Sequence, residues 1–505
     1  MPALSSTFTF LDYGVFAAYL ALTVAIGFMF TKGQRNLDEY FLAGRSMGPV
    51  IVAMTILASL FSGISFLAGP AESYANGPIF YLVNVAFFIA TPVTSIIFVR
   101  CYYRARFFTA YQYLEERFGV VLRTVASGSF IVRVLLWLAA ATYAPALALE
   151  QATGMPLWFT ILTTGLITTA YTTFGGMRAV IWTDVMQLVV LFAGQLAIAL
   201  IALGRVPGGL EQVIEIGKQG GRLDLSFSPD PTVRLTLWGI IIGAAFMHLV
   251  QMATDQVSVQ RYLSAKSMAV AQRGLWIKLW MTLPVTFVFY GTGLVLFAYY
   301  QVHGDPLAAG KIAKADQILL YFVVHELPHG LPGLFIAAIF AASMSTISAG
   351  INSLTSASLV DFYQRLWRAP NLAEENQLKI ARWLTVGYGV LVVMLAFLVH
   401  RLGTLLEATN KVVGLIGGPL IGLFLAGMLS RRTTARGAVA GGVGGFGLAL
   451  FVCFGTKVSF LWYAMIGCLT TMIVAAIVSR FEPPPDRGKI ADLVWSPTAG
   501  EEPRN

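Results

Sequence analysis

Long apolar runs alternate with short polar stretches along this chain, and the runs are about 20 residues long, the length a helix needs to cross a bilayer core. Strand-like alternation does not recur within them, so the pattern predicts helices and not a β-barrel. Thirteen spans are predicted, centred near Leu20, Leu57, Phe88, Leu136, Thr164, Leu191, Ala245, Phe287, Ile347, Leu391, Leu420, Phe446 and Ile466. Three are interrupted. The second, MTILASLFSGISFLAGPAESYANG, sets Ser59, Ser62, Gly63 and Ser65 in mid-membrane and runs on into Gly69 and Pro70. The seventh, IIGAAFMHLVQMATDQVSVQR, carries His248, Gln251, Thr254 and Asp255, and the eleventh contains GLIGGPLIG. Gly and Pro within a span free backbone groups, which is tolerable only where they are buried or line a cavity. The second and seventh spans lie five apart, as an inverted repeat of five helices would place two broken first helices.

The ninth span is the most polar of the set while staying almost uncharged. From Phe340 to Asp361 it reads FAASMSTISAGINSLTSASLVD. Ala342, Ser345, Thr346 and Ala349 share one helical face at i, i+3, i+4 and i+7. Hydroxyls so placed have two uses: hydrogen bonds to a neighbouring helix or to their own backbone, or oxygen ligands for a small hard cation.

Composition agrees with a membrane chain. Of 505 residues 57% are hydrophobic and 12% charged, where a soluble domain carries roughly 25% charged residues. The net charge of +9 does not require nucleic acid, because the Lys and Arg residues cluster in alternate loops. Clusters near Lys32–Arg45, Arg100–Arg117, Arg261–Arg273, Arg365–Arg382 and Arg431–Arg436 place the N-terminus outside and the C-terminus in the cytoplasm. No cleavable leader is expected, since the first ten residues hold no Lys or Arg. The stretch 486–505 follows a PPP interruption and is expected to be a disordered cytoplasmic tail. The three cysteines and five histidines show no metal-ligand spacing, and no phosphate-binding loop or nucleophile elbow is present. An enzyme is therefore not expected, and uphill transport would draw on an ion gradient.

Ionisable residues inside the spans are the remaining candidates, because each is costly there and needs a partner. Asp184 is either an interfacial partner of Arg178 or a cation ligand. Arg133 either snorkels to the interface near Arg123 or clamps a solute carboxylate with its two-pronged guanidinium. His248 and Gln251 share a face at i, i+3, fit for a helix–helix hydrogen bond or for a solute. Asp255 and Arg261 read as a gate or interface pair.

Four motifs resemble the sodium:solute symporter family: FGGMRAVIWTDVMQ, TDQVSVQRYLSAKS, ASMSTISAGINSLT and GGPLIGLFLAGMLSRRTTARGAVAGG. The resemblance spans roughly Tyr13 to Arg480. It implies an all-α polytopic membrane protein with a five-plus-five inverted-repeat (LeuT-like) core. A leading helix would cover residues 10–30, the repeats 48–204 and 236–429, and two trailing helices 435–480. It further implies a main Na+ site from the carbonyls of Ala58, Phe61 and Ala342 and the hydroxyls of Ser345 and Thr346. Some members hold a second Na+, for which Asp184, Ser345 and Ser348 match, while Ala349 stands where those members have Ser or Thr. The solute would meet Ser62, Ser65, Arg133, His248 and Gln251. The expected activity is sodium-coupled import of a small organic solute across the cell membrane by alternating access. An anionic carboxylate is the expected solute, monocarboxylate or sialic-acid-like, with a sugar as the alternative and a proton-coupled carrier or channel behind it. Oligomeric state is not legible from the sequence.

Overall fold

The computed structural model describes residues 9–30, 34–366, 373–398 and 405–495. Among them every extended element is a helix. The long ones are α1 (Phe10–Met29), α2 (Pro49–Leu60), α3 (Gly63–Asn76), α4 (Pro78–Arg104), α5 (Val120–Thr153), α6 (Leu157–Gly204), α7 (Gly239–Thr254), α8 (Gln256–Leu263), α9 (Met268–His303), α10 (Leu331–Ala357), α11 (Glu374–Leu398), α12 (Leu405–Leu429), α13 (Ala435–Gly455) and α14 (Tyr463–Ser479).

Nine helices among the described residues are long and apolar enough to cross a membrane, or eleven if each bent pair is one span. The difference from the predicted thirteen has two sources. Helix α6 has 48 residues, about 72 Å at 1.5 Å per residue, far more than a bilayer core requires. Inside it Gly176 turns to φ +54, ψ −154, which divides the predicted spans near Thr164 and Leu191. A side chain there would be strained, and the carbonyl of Tyr40 lies 2.9 Å from where its Cβ would sit. The other source is α12, of which Val413–Leu429 is the short apolar part.

The two bent pairs fall at two of the three predicted interruptions, while the third, GLIGGPLIG, lies within the single helix α12 with Pro419 inside it. Helices α2 and α3 meet at 71°, and α7 and α8 at 55°. Local chemistry makes both breaks. Pro49 starts α2, where its missing N–H costs nothing. Ser62 leaves the helical region and its Oγ accepts from Ser65 N at 3.2 Å, capping α3. Asp255 does the same for α8, accepting from Val257 N at 3.0 Å. At Gly63 a Cβ would lie 2.4 Å from Ser343 Oγ and from Pro145, so the break presses directly on α10 and α5.

Helix α10 is the axis of the molecule. Every residue from Phe335 to Ala357 is buried, on all faces. A helix buried all round belongs to a core, and its hydroxyls must then be satisfied inside the protein. By contrast the leading helix α1 is mostly exposed and buries only Asp12, Tyr19, Thr23 and Gly27, a single stripe. Helices α13 and α14 pack on each other and on α12, outside the broken pairs.

The expected disorder after residue 486 does not hold up to residue 495. Asp486 caps a turn at Arg487–Ile490, Leu493 and Val494 are buried, and Trp495 N donates to Met428 O at 2.8 Å. Three apolar side chains in a short polar stretch suffice to dock it. Residues 496–505 lie outside the described residues, as do Lys32 and Arg368 of the predicted basic loops.

Candidate functional site

The break between α2 and α3 faces the hydroxyl-bearing middle of α10. Ser345 Oγ donates to two carbonyls on different helices, Ala58 O at 3.2 Å and Ala342 O at 3.1 Å. Thr346 Oγ1 donates to Ala342 O at 3.0 Å. All four residues are almost wholly buried. Phe61 sits at the break itself with φ −91, ψ 97, three residues beyond Ala58. Of the five residues expected to hold a cation, four therefore meet by direct hydrogen bonds and the fifth is the neighbouring hinge residue. The set is oxygen-only and uncharged, which suits a monovalent hard cation. The C-terminal end of α2 adds its partial negative charge at the same place. Among the described residues no cluster of three His, Cys, Asp or Glu side chains is arranged for a transition metal.

Asp184 is close by but differently engaged. Its Oδ2 accepts from Thr55 Oγ1 at 2.5 Å and from Arg261 Nη2 at 3.0 Å, with both charged side chains at zero exposure. Its Oδ1 is buried without a hydrogen-bond partner. Ser348 Oγ donates to Ser345 O at 3.0 Å. Two expected pairings are thus corrected. Asp184 pairs with Arg261 and not with Arg178, whose Nε reaches Ala43 O at 3.4 Å. Asp255 pairs with Arg133 and not with Arg261, at 2.6 Å. The reason lies in the bend at Asp255. Helix α8 turns away there and carries Arg261 back toward α2, where it donates to Thr55 O at 3.1 Å.

A cavity of about 220 Å³ opens beside the break. Leu57, Phe61 and Ser65 form one wall, and Phe87, His248, Gln251, Lys278, Thr282 and Phe289 form others. His248 is held in place: its ring stacks on Phe87 with centroids 3.6 Å apart, Nε2 lies 3.1 Å from Val83 O and Nδ1 3.3 Å from Gln251 Oε1. Glu72 and Arg234 also line the cavity and form a two-pronged ion pair at 2.6 and 2.9 Å. Lys278 stands apart. It is fully buried, its Nζ lies 3.1 Å from the Phe87 ring centroid, and it has no hydrogen-bond partner.

Ser65, His248 and Gln251 line this cavity as expected, whereas Ser62 and Arg133 do not. The Ser62 hydroxyl is used as the cap of α3. Arg133 lies in a separate small pocket with Tyr111, Phe130 and Thr254, its guanidinium committed to Asp255. The residue missed by sequence reasoning is Lys278. A lone Lys in WIKLW within an apolar span was the available signal, since an ionisable residue at membrane depth is a candidate by default.

A model of the sodium:solute symporter family matches residues 40–445. The sodium-dependent multivitamin transporter of Oryctolagus cuniculus is 36% identical over 467 residues, covering 90% of this chain and 72% of that protein. The human sodium-coupled monocarboxylate transporter 1 is 36% identical over 461 residues, covering 90% and 74%. A substrate-bound outward-open structure of a Na+-coupled sialic acid symporter superposes with a TM-score of 0.87 at 30% identity, over 94% of this chain and 99% of that one.

Proposed function

The chain belongs to the sodium:solute symporter family, and from that premise we propose that it carries a small monocarboxylate across the membrane together with sodium. Sodium is the coupling ion of the family. The carboxylate assignment is carried by Lys278. A buried amine whose only neighbour is an aromatic ring is costly to charge, and a solute carboxylate is the partner that removes the cost. Glu72 and Arg234 neutralise each other, so Lys278, charged by a proton taken up with the solute, would balance a monoanion. The aromatic and aliphatic walls suit the hydrocarbon part. The cavity volume lies below the range that holds drug-sized ligands, in keeping with a small solute. A sugar would give Lys278 no counter-charge, and so has less support.

Sodium is assigned to the carbonyls of Ala58, Phe61 and Ala342 with the hydroxyls of Ser345 and Thr346. On binding, the two hydroxyls rotate their protons away and turn lone pairs to the ion. The Ser345 bond to Ala58 O supports this site, because it shows α2 and α10 within one ligand's reach. The open Oδ1 of Asp184 favours a second sodium with Ser345 and Ser348, for which the net charge moved per solute is the test.

Basic side chains of three separate loops, Arg45, Arg104 with Arg106, and Lys266, gather around one surface hollow. We assign that face to the cytoplasm, which puts the N-terminus outside. The cavity beside Glu72 and Arg234 then opens outward, and the Arg133–Asp255 pair closes the inner side.

The test is Lys278→Met in proteoliposomes. Charge-assisted hydrogen bonds of this kind are worth about 1.5–3 kcal/mol, so half-saturation by acetate-to-hexanoate substrates should rise roughly 10- to 100-fold. Unchanged half-saturation would remove the carboxylate assignment.

A further inference from the structure

The leading helix α1 lies outside the broken pairs, yet its first half packs on the helix that carries Ser345 and Thr346, and its end on α6. At the outer end Asp12 Oδ1 accepts from two backbone amides of the α10 start, Gly330 N at 2.8 Å and Gly333 N at 2.9 Å. Those amides have no partner within their own helix. Asp12 Oδ2 accepts from Thr9 N at 2.9 Å and Thr9 Oγ1 at 2.7 Å, so the same carboxylate closes the start of α1. The approach is tight, for a Cβ at Gly333 would lie 2.3 Å from Asp12 O. One turn on, Phe16 meets Phe340 edge to face with centroids 4.7 Å apart. Another turn on, Tyr19 Oη reaches Met344 Sδ at 3.9 Å. The backbone carbonyl of Met344 accepts from Tyr171 Oη of α6 at 3.2 Å. Tyr171 in turn packs on α1, since a Cβ at Gly27 would lie 2.3 Å from Tyr171 Cβ.

We infer that α1 is a clamp that sets the height and rotation of α10, and that Asp12 is a positioning residue for the sodium ligands. The contacts run in step, Asp12 on Gly333, Phe16 on Phe340 and Tyr19 on Met344, and the last is the residue before Ser345. The hydroxyls of Ser345 and Thr346 and the carbonyl of Ala342 meet Ala58 only if α10 neither slides nor turns. Helices α1 and α10 therefore move as one body when the carrier switches sides.

This inference rests on the sodium site proposed above. Sodium dependence of uptake is measured for Asp12→Ala and Asp12→Asn. Loss of the cap in Asp12→Ala should raise the sodium concentration for half-maximal uptake about five- to ten-fold, with the maximal rate at saturating sodium nearly kept. Asp12→Asn keeps an oxygen for Gly330 and Gly333 and should restore most of the affinity. An Asp12→Ala protein with normal sodium half-saturation would overturn the clamp. So would a fall in maximal rate alone. If Asp12→Ala does not fold, Phe16→Cys with Phe340→Cys, in a background lacking Cys101, Cys453 and Cys468, gives the second measurement. Oxidised protein should still transport, and a block on oxidation that reduction reverses would overturn the clamp. Thr346→Ala separates the two levels. A sodium-blind Thr346→Ala beside a normal Asp12→Ala defeats only the clamp, whereas a sodium-responsive Thr346→Ala defeats the site itself.

Discussion

Ser345 holds carbonyl oxygens of two different helices with one hydroxyl, and that double contact ties the broken helix to α10. A sodium ion placed there exchanges these hydrogen bonds for ion–oxygen contacts. Thr346→Ala removes one ligand and leaves the shape nearly intact. Its sodium-driven uptake should fall below detection while the protein remains folded by gel filtration, and full uptake would refute the assignment. At this scale the sequence was informative at most polar residues that interrupt an apolar run, Lys278 excepted. Ser345, Thr346, His248 and Gln251 stood out for that reason. Pairing across the bundle was not legible. Arg133 finds Asp255 across 122 positions, and Asp184 finds Arg261 across 77, and nothing in local spacing selects those partners over Arg178 or a solute.

At the scale of elements, the two breaks do most to position the site. Helix α2 ends with its partial negative charge toward the proposed cation, and α3 begins beside a cavity lined by the buried Lys278 side chain. The α7/α8 break turns on Asp255, which caps α8 and pairs with Arg133 of α5 through its two oxygens. Removing one member leaves a largely buried charge alone, which destabilises the fold. Asp255→Ala should therefore lower the melting temperature and make the inner side accessible to water-soluble thiol reagents, and Arg133→Ala should do the same. A melting temperature and accessibility equal to the parent would show that this pair closes nothing. Both breaks were predicted from Ser, Gly and polar residues inside apolar runs. The division of α6 at Gly176 matches a span start expected there, between the predicted centres at Thr164 and Leu191.

Across the whole molecule, the cavity beside Lys278, the proposed oxygen site and the membrane potential would act on one cycle. Entry of each net positive charge releases about 2.3 kcal/mol per 100 mV of inside-negative potential. A sodium ion at the proposed site would hold α2 against α10 and so shape the cavity wall at Phe61, the residue both proposed sites share, and at nearby Leu57. Coupling through that wall is reciprocal, so the solute must raise sodium affinity by the same factor that sodium raises solute affinity. The measurement that bears most directly on this account is uptake of a short monocarboxylate into proteoliposomes at fixed pH, with outside sodium or choline. Accumulation above the equilibrium level is expected only with an inward sodium gradient. Equal accumulation in choline would contradict a sodium ion held between the broken helix and the hydroxyls of α10.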